Sequence, residues 1–448
     1  QTARIIDLIQ SNFTNSYASI QDRISMRAKS CLQILFILCF CCPLSSSLAA
    51  DEHRHKSQRE KLEWKTGDRV VLIGNTFADQ LRLYNYLETL LTSQASAKNI
   101  TFRNLAWSGD TLNLRPRPLN FGSLDDHLHQ QKADIIIACF GMNESFAGQN
   151  GLKEFSNSWE KFLNHLASQK YNGKSAPRIV LISPIAHENR GPPFPDPAAH
   201  NQSLSDYSQA MQAVAARHHL PFVDLFTKTK KLMDENPSQK LTRNGIHLNE
   251  YGYWALSQFV AGELLGKKIK SPQLMVDLAD QKIQTTNAEI LQQRFQPDKI
   301  QFTVKEKVLP IPAPPESTIV HSELLALQPR LTVKNLPAGN YRLLVNETRI
   351  AEASHNDWSR GLQLKNLPAQ SRVTDLRATI ERKNELFFYV YRAHNAEYIF
   401  GRRTKPFGAV SFPPEMQAFA RLIQSRETNI KTQSQPEKES RWVLFKLE

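Results

Sequence analysis

The sequence lacks the cysteine patterns that indicate a disulfide framework, a zinc site or a covalently bound haem. Of five cysteines, Cys31, Cys39, Cys41 and Cys42 lie in one apolar stretch near the start, and only Cys139 follows it. A single remaining cysteine cannot form an internal disulfide. There is no CxxCH sequence, and no histidine and cysteine residues have zinc-ligand spacing. We therefore predict no metal and no cofactor, and we interpret Cys139 as a small buried hydrophobic residue.

The sequence also lacks an apolar run of the length that spans a membrane. Cys31–Leu44 is almost wholly apolar but has only 14 residues, whereas a spanning helix needs about 20. It follows Arg27 and Lys29 and precedes small residues, which is the pattern of a secretory signal peptide. We predict that residues 26–50 are removed on export to the periplasm or the cell exterior, leaving no stable membrane span. Residues 1–25 are predicted to be an upstream extension or a mistranslated leader.

No recognised nucleic-acid-binding motif is present, although the chain is basic. The net charge is +13, and it becomes +11 when the first fifty residues, with four cations and two anions, are removed. An excess of positive charge favours an anionic partner such as an acidic glycan or a cell surface. Because no motif for reading bases or phosphates accompanies it, we predict no nucleic-acid binding.

Short apolar runs alternate with helical patterns between residues 67 and 265. Continuous apolar strands are typical of a parallel sheet with both faces covered by helices, so this part predicts an α/β fold with three layers, α/β/α. Ligands bind such sheets at the carboxyl ends of the strands. The predicted strands are Arg69–Ile73, Ile100–Ala106, Asp134–Phe140, Arg178–Ser183 and Pro221–Leu225, and the predicted helices are Asp79–Leu91, Leu152–Gln169, Asn201–His218 and Tyr253–Leu265.

The rest of the chain has weaker patterns. Residues 266–310 are rich in glutamine and are predicted to form a helical connector. Residues 311–426 are predicted to form a smaller β-rich C-terminal region with helices, because turn residues at 336–340 separate strand-like runs and residues 370–384 have helical spacing. Residues 427–448 are polar and charged, and are predicted to be a mobile tail.

Four short polar segments lie at or near the predicted strand ends. Taken alone, Thr76 would be a turn or capping residue beside Asn75. A hydroxyl between a strand and a helix is, however, close to helix N–H groups that favour an oxyanion. An ester hydrolase needs a nucleophile, a general base and donors for that oxyanion. The four segments are Gly74-Asn75-Thr76, Trp107-Ser108-Gly109-Asp110, Gly141-Met142-Asn143 and Asn244-Gly245-Ile246-His247.

In this order the four segments resemble the four blocks of the SGNH/GDSL hydrolase family. The resemblance covers residues 67–265. The chain is similar in detail to a secreted bacterial subgroup of this family, and the C-terminal region of that subgroup resembles Asn384–Arg403. The resemblance implies a five-stranded parallel sheet of flavodoxin-like order 2-1-3-4-5, and ester hydrolysis by a Ser/His/Asp set. It also implies the following positions: Thr76 as nucleophile, His247 as base, Asn244 as the residue that orients the base, and Gly109 and Asn143 as oxyanion donors.

Two of these positions depart from the family pattern. Thr76 has the hydroxyl of serine, but its methyl group restricts χ1 and crowds the approach to a carbonyl. Threonine nucleophiles are typically activated by an N-terminal amine, which an internal threonine lacks. Asn244 can orient His247 but cannot neutralise the imidazolium. In a serine protease the corresponding Asp→Asn change lowers kcat by about 10⁴.

Other polar residues near strand ends are candidates for assisting the histidine base. Glu144 and Glu188 are predicted as possible supporting acids, and Asp110 is a further candidate. Asp224 is interpreted as a structural capping residue. His187 is either a second base or a polar loop residue.

Two functional hypotheses follow from these residues. The first is an exported ester hydrolase that removes acyl groups from a small molecule or a polysaccharide, for example as a carbohydrate deacetylase. The second is a catalytically inactive glycan-binding or envelope protein on the same fold, which the residues Thr76 and Asn244 favour.

Overall fold

The computed structural model describes residues 60–117, 121–316, 318–396, 408–437 and 439–448. The predicted leader and signal peptide, residues 1–50, lie outside the described residues, as does part of Asn384–Arg403. Every helix within the described ranges is too short or too polar to cross a membrane.

A five-stranded parallel sheet organises the first part of the chain and confirms the predicted fold. Its strand order is β2-β1-β3-β4-β5. The central strand β3 reads Ile-Ile-Ile-Ala-Cys, and all five of its residues are buried. The strands are β1 Arg69–Gly74, β2 Thr101–Asn104, β3 Ile135–Cys139, β4 Arg178–Ile182 and β5 Phe222–Val223.

Helices cover both faces of this sheet, as a continuous apolar strand pattern requires. Leu72 and Ile137 belong to a core on one face with Trp254, while the alternate residues Val71 and Ile136 belong to a second core. The three-layer prediction is therefore confirmed. The helices are α1 Thr76–Tyr84, α2 Tyr86–Gln94, α3 Leu124–Gln131, α4 Gly148–Ser168, α5 Ala198–Arg217, α6 Leu225–Glu235 and α7 Glu250–Leu265, with 3₁₀ turns at Ser96–Lys98 and Glu144–Ala147.

The helix predicted at Asp79–Leu91 is two helices, α1 and α2. Asn85 separates them with a left-handed backbone, φ 46°. Its N–H donates to Leu81 O at 2.9 Å, which caps α1. Asparagine adopts this conformation more readily than most residues, so the break has a local cause.

The helical connector predicted at residues 266–310 is wrong, because this segment forms four strands. Ile300, Phe302 and Val304 alternate with polar residues and are buried, which is the period of a strand and not of a helix. Three of the seven glutamines of this segment, Gln292, Gln293 and Gln296, lie in the exposed neighbouring strand. The strands are β6 Gln273–Asp277, β7 Lys282–Thr286, β8 Ala288–Gln296 and β9 Lys299–Glu306.

The C-terminal region contains two sheets, and the predicted mobile tail at 427–448 is also wrong. Strand β14, Ser440–Lys446, lies between β11 and β9, where Trp442 and Leu444 are buried. Its partners are far away in the sequence, so no local pattern reveals the pairing. The sheet orders are β13-β10-β6-β7 and β12-β11-β14-β9-β8. The remaining strands are β10 Arg330–Lys334, β11 Asn340–Val345, β12 Thr348–Ser354 and β13 Leu362–Gln363.

Two long helices of the C-terminal region pack on the first domain. The buried Lys383 Nζ lies 2.6 Å from Glu88 Oε1 and donates to Phe102 O at 3.1 Å. Burial lowers the pKa of Lys383, and the attraction of Glu88 opposes that effect. Arg103 and Glu427 form a second ion pair at 2.6 Å. These helices are α10 Pro368–Ala396 and α11 Gly408–Gln433, and the shorter α8 Ser322–Leu325 and α9 His355–Arg360 precede them.

Glu306, the last residue of β9, is a buried carboxyl that lacks a counter-ion within the described residues. It is 7% exposed, and its Oε2 has no hydrogen-bond partner there. Burial, with repulsion from Glu437, raises the pKa of Glu306 to about 7. The folded state therefore retains this proton in a pH range where the unfolded chain has lost it, and stability falls as pH rises from about 4.5 to about 7.

We expect Glu306→Gln to stabilise the protein at pH 8 by roughly 2–3 kcal/mol and to have little effect near pH 4.5. The reason is that glutamine needs no deprotonation inside the protein. Thermal unfolding of both proteins across this pH range measures the difference. The control is Glu289→Gln, which changes an exposed residue of β8. A stability difference that does not vary with pH would contradict the prediction.

Candidate active site

Thr76 lies at the carboxyl end of β1, at the first position of α1. Asn75 is the N-cap, and its Oδ1 accepts a hydrogen bond from Phe77 N at 3.2 Å. Gly74 has φ 141°, and a Cβ there would lie 2.2 Å from Cys139 O, so only glycine fits. Thr76 itself is half-buried, and its hydroxyl forms no hydrogen bond within the described residues. The hydroxyl is thus placed beside the positive end of a helix dipole.

His247 lies on a tight turn that Asn244 closes. Asn244 Oδ1 accepts a hydrogen bond from His247 N at 3.0 Å, so the amide NH₂ faces the imidazole. Asn244 Nδ2 lies 3.0 Å from His247 Nδ1. An NH₂ group can only donate, and the ring nitrogen must therefore accept. The hydrogen of the neutral ring is then on Nε2. A general base that accepts a proton at Nε2 needs the other tautomer, with the hydrogen on Nδ1. Burial, together with the charge of Arg243, lowers the pKa of His247.

Glu188 holds this turn in place from the segment after β4. Its carboxylate accepts hydrogen bonds from Leu241 N and Thr242 N, each at 2.9 Å, and also from the Thr242 hydroxyl. Its backbone N–H donates to Gly245 O at 2.8 Å. Glu188 makes no hydrogen bond to His247 within the described residues. Glu188 therefore stabilises the conformation of the turn.

His187 packs against the turn of His247. A separate chain of hydrogen bonds, through His200 and Ser145, fixes the tautomer of His187. Ser145 Oγ donates to Met142 O at 2.7 Å, so it accepts from His200 Nε2 at 2.9 Å. His200 Nδ1 then accepts from His187 Nδ1 at 3.1 Å, which leaves Nε2 of His187 without a hydrogen. A Cβ on Gly245 would lie 2.6 Å from that Nε2. Burial lowers the pKa of both histidines, that of His200 to about 4, so both are neutral at pH 7.

The proposed oxyanion donors lie on two turns that contact each other. Gly109 is exposed and has φ 89°. Its turn is joined to the end of β1 by the hydrogen bond from Trp107 N to Gly74 O, at 3.0 Å. Asn143 Nδ2 donates to Asp110 O at 3.1 Å, which uses one of its two hydrogens. Its second hydrogen makes no hydrogen bond within the described residues.

Glu144 joins the same two turns and makes no hydrogen bond to His247 within the described ranges. Its carboxylate accepts from Gly141 N at 2.9 Å and from Leu112 N at 3.0 Å. Burial raises the pKa of Glu144, and these backbone hydrogen bonds act in the opposite direction. Asp110 is likewise occupied, because Arg117 binds both of its oxygens, at 2.8 and 2.5 Å.

Hydrogen bonds therefore join the first three sequence segments at one edge of the sheet, and the fourth segment lies against the residues that follow β4. The helix that follows His247 is fixed to the helix that follows Thr76, since Tyr253 donates to Phe77 O at 3.2 Å and stacks on Tyr84. Asp224 caps α6, as predicted, by accepting from Thr227 N at 2.9 Å. Burial raises the pKa of the Cys139 thiol, in keeping with a buried hydrophobic residue.

Sequence reasoning missed the arginines around Trp107. The guanidinium of Arg117 lies 4.2 Å from the centre of a Trp107 ring, and that of Arg392 lies 3.4 Å from it. The only local signal is the Arg-Pro-Arg run at 115–117, whereas Arg392 is nearly three hundred residues away in the sequence. Over the described ranges, no group of three or more His, Cys, Asp or Glu residues is arranged to hold a metal ion.

Comparisons with known proteins agree with this architecture. Residues 72–255 match the model of the GDSL-like lipase/acylhydrolase family. A gut microbial diltiazem-metabolizing enzyme has a similar structure, with a TM-score of 0.66 and 15% identity, covering 87% of this chain and 100% of that one. At such identity the similarity shows the fold alone, but it extends beyond the first domain. No relative was found among curated protein sequences.

Two further solved structures align with a smaller part of the chain. An acetylxylan esterase from Geobacillus stearothermophilus has a TM-score of 0.36 and 16% identity, covering 45% of this chain and 96% of that one. An alpha/beta hydrolase from the metagenome of Lake Arreo, Spain, has a TM-score of 0.35 and 18% identity, covering 45% and 97%. Scores this low support no argument about function.

We expect Asn244→Asp to move the hydrogen of neutral His247 from Nε2 to Nδ1 and to raise the pKa of this histidine by about one unit or more. A carboxylate can only accept from Nδ1, and its negative charge favours the imidazolium. Long-range ¹H–¹⁵N NMR spectra of the histidine rings across a pH titration measure both effects. Asn356→Asp, an exposed residue of α9, is the matched control. An unchanged pattern of ring nitrogen shifts would contradict the assigned hydrogen bond.

Proposed function

We propose that this chain hydrolyses carboxylic esters, because residues 72–255 match the model of the GDSL-like lipase/acylhydrolase family. The substrate is an acylated small molecule or polysaccharide, with an acetylated glycan as the favoured class. The observation that carries the proposal is the position of Thr76, whose unbonded hydroxyl lies at the start of α1 beside the turns of Gly109 and Asn143. This arrangement supports Thr76 as the nucleophile and Gly109 and Asn143 as the oxyanion donors.

In the proposed reaction, Thr76 Oγ attacks the ester carbonyl carbon while its proton passes to Nε2 of His247. The carbonyl oxygen becomes an oxyanion, which accepts hydrogen bonds from Gly109 N–H and the unused N–H of Asn143. Collapse of this intermediate expels the alcohol, which takes the proton from the imidazolium and leaves an acyl-threonine. Water then attacks the acyl carbon in the same way, releasing the carboxylic acid and restoring the hydroxyl.

The tautomer of His247 sets the rate in this proposal. Proton transfer from Thr76 needs a free lone pair on Nε2, but the hydrogen bond from Asn244 places the hydrogen there. The ring must change tautomer, and the Asn244 amide must turn, before attack can occur. Within the described part of the chain no carboxylate is hydrogen-bonded to His247, so the imidazolium lacks that stabilisation and turnover is expected to be slow.

A catalytically inactive glycan-binding protein is the second candidate, and the same hydrogen bond favours it. When the Asn244 amide donates to Nδ1 of His247, the ring has its hydrogen on Nε2 and can donate it to a bound sugar hydroxyl. We also propose that the chain is exported to the periplasm or the cell exterior, because residues 26–50 have the pattern of a signal peptide.

We expect Thr76→Ala and His247→Ala each to lower the rate of p-nitrophenyl acetate hydrolysis by the purified protein at least 100-fold. Each variant removes a group that takes part in every turnover. The controls are Thr348→Ala and His219→Ala, which change exposed residues. If both site variants keep the parent rate, the hydrolysis does not occur in this cleft.

We expect the double variant Thr76→Ser with Asn244→Asp to raise kcat/KM for the same ester by about 10²–10⁴. Serine removes the crowding methyl group, and aspartate selects the catalytic tautomer and stabilises the imidazolium. The two single variants show whether the changes act as a unit, since coupled catalytic groups are not additive. Absence of any gain would mean that the donors or the base are out of place, and would favour the inactive binding protein.

A further inference from the structure

A cavity of about 320 Å³ adjoins the proposed nucleophile. Gly74, two residues before Thr76, and Asp110, next to Gly109, line one side of it. Phe121 and Tyr391, the latter from α10, also line it, with their ring centres 5.3 Å apart. The cavity is therefore next to the chain segments that carry Thr76 and Gly109. A larger cavity of about 490 Å³ is lined by residues 221–223 and 262–269 and shares no residue with the site.

Two arginines line the 320 Å³ cavity, and only one of them forms an ion pair with a carboxylate. Arg117 is neutralised by Asp110, which binds it through two hydrogen bonds. Arg115 forms no ion pair and no hydrogen bond within the described residues, and its Nη1 is buried. Burial lowers the pKa of Arg115, and the attraction of Asp110, which Arg117 already binds, opposes that effect. An unpaired buried charge is costly, and an anion in the cavity would offset that cost.

The charge and shape of the cavity limit what this anion can be. With Arg117 paired, one positive charge remains, which matches an anion with a single negative charge. The planar fork of Arg115 binds a carboxylate through two parallel hydrogen bonds. The volume is at the lower end for small-molecule pockets, and the aromatic rings of Phe121 and Tyr391 provide apolar walls. These properties suit one sugar ring that has a carboxylate.

We propose that this cavity binds a uronic acid unit of the substrate, with its carboxylate on Arg115. This inference rests on the proposed function and gives its substrate class: an acylated glycan that contains uronic acid next to the acylated position. The excess of basic residues in the chain is consistent with an acidic glycan, since the net charge is +13.

Binding is tested first on the unmodified full chain, with glucuronate, glucose, the methyl ester of glucuronate and glucose 6-sulfate as probes. Tryptophan fluorescence is the readout, because Trp107 lies beside Arg117 at this cavity. We expect glucuronate to bind at least tenfold more tightly than glucose or the methyl ester, and binding to weaken with salt. Equal affinity for these sugars would overturn the proposal, and tighter binding of the sulfate would overturn the assignment of a carboxylate.

Arg115→Met is tested next, since methionine keeps much of the packing and removes the charge. We expect a loss of glucuronate affinity of at least tenfold, no change in glucose binding, and a melting temperature that is unchanged or higher. Arg294→Met, on the exposed face of β8, removes the same charge elsewhere and should have no effect. Full glucuronate affinity in Arg115→Met would overturn the proposal.

The same probes separate this inference from the proposed hydrolysis. Thr76→Ala should bind glucuronate like the parent, because the arginine and not the nucleophile binds the carboxylate. Selective glucuronate binding without any ester hydrolysis would overturn the proposed function and support the cavity assignment. Hydrolysis of acetylated glucose and acetylated glucuronate with equal kcat/KM, together with no glucuronate binding, would overturn the cavity assignment and leave the hydrolase.

Discussion

The close approach of Gly74 to the carbonyl of Cys139 sets the geometry of the whole site. It joins the carboxyl ends of β1 and β3, since a Cβ at Gly74 would lie 2.2 Å from that oxygen. Asn75 N donates to the same carbonyl at 3.1 Å, and the chain then turns directly into α1. These contacts fix the position of Thr76 relative to the Asn143 turn, which follows β3. The other site elements are added to this edge by longer-range hydrogen bonds.

Two carboxylates that looked catalytic from sequence instead assemble the site. Glu188 binds the backbone of Leu241 and Thr242, and Glu144 binds that of Gly141 and Leu112. Backbone N–H groups in irregular turns have no ladder partners, so acids beside strand ends are suitable acceptors for them. Accepting these backbone hydrogen bonds explains why Glu144 and Glu188 lie at strand ends and make no hydrogen bond to His247. Sequence alone cannot separate the two roles, because both need an acid at the same place.

The parallel sheet was predictable because each strand is a short apolar run, and the runs Arg69–Ile73 and Asp134–Phe140 match β1 and β3 closely. The second region was not predictable to the same degree. Strand β8 is largely exposed and rich in polar residues, and the short apolar run Trp442–Phe445 of β14 follows a long polar segment. Strand β14 also pairs with strands about a hundred residues away or more. Likewise, Arg392 contacts Trp107 only through tertiary packing. The motifs predict a site at the sheet edge, and they give no indication of the arginines that lie around Trp107.

The shape of the site and its chemical capacity are separable in this protein. The turn of His247 is held by Asn244 Oδ1 and by Glu188, and an aspartate at position 244 would keep the first of these hydrogen bonds. The backbone arrangement therefore does not depend on which of the two residues is present. What differs is the position of one proton on the imidazole ring and the charge beside it. In the proposed function, the cleft, its donors and the positively charged cavity bind an acylated glycan, and a single amide group sets the rate of its hydrolysis.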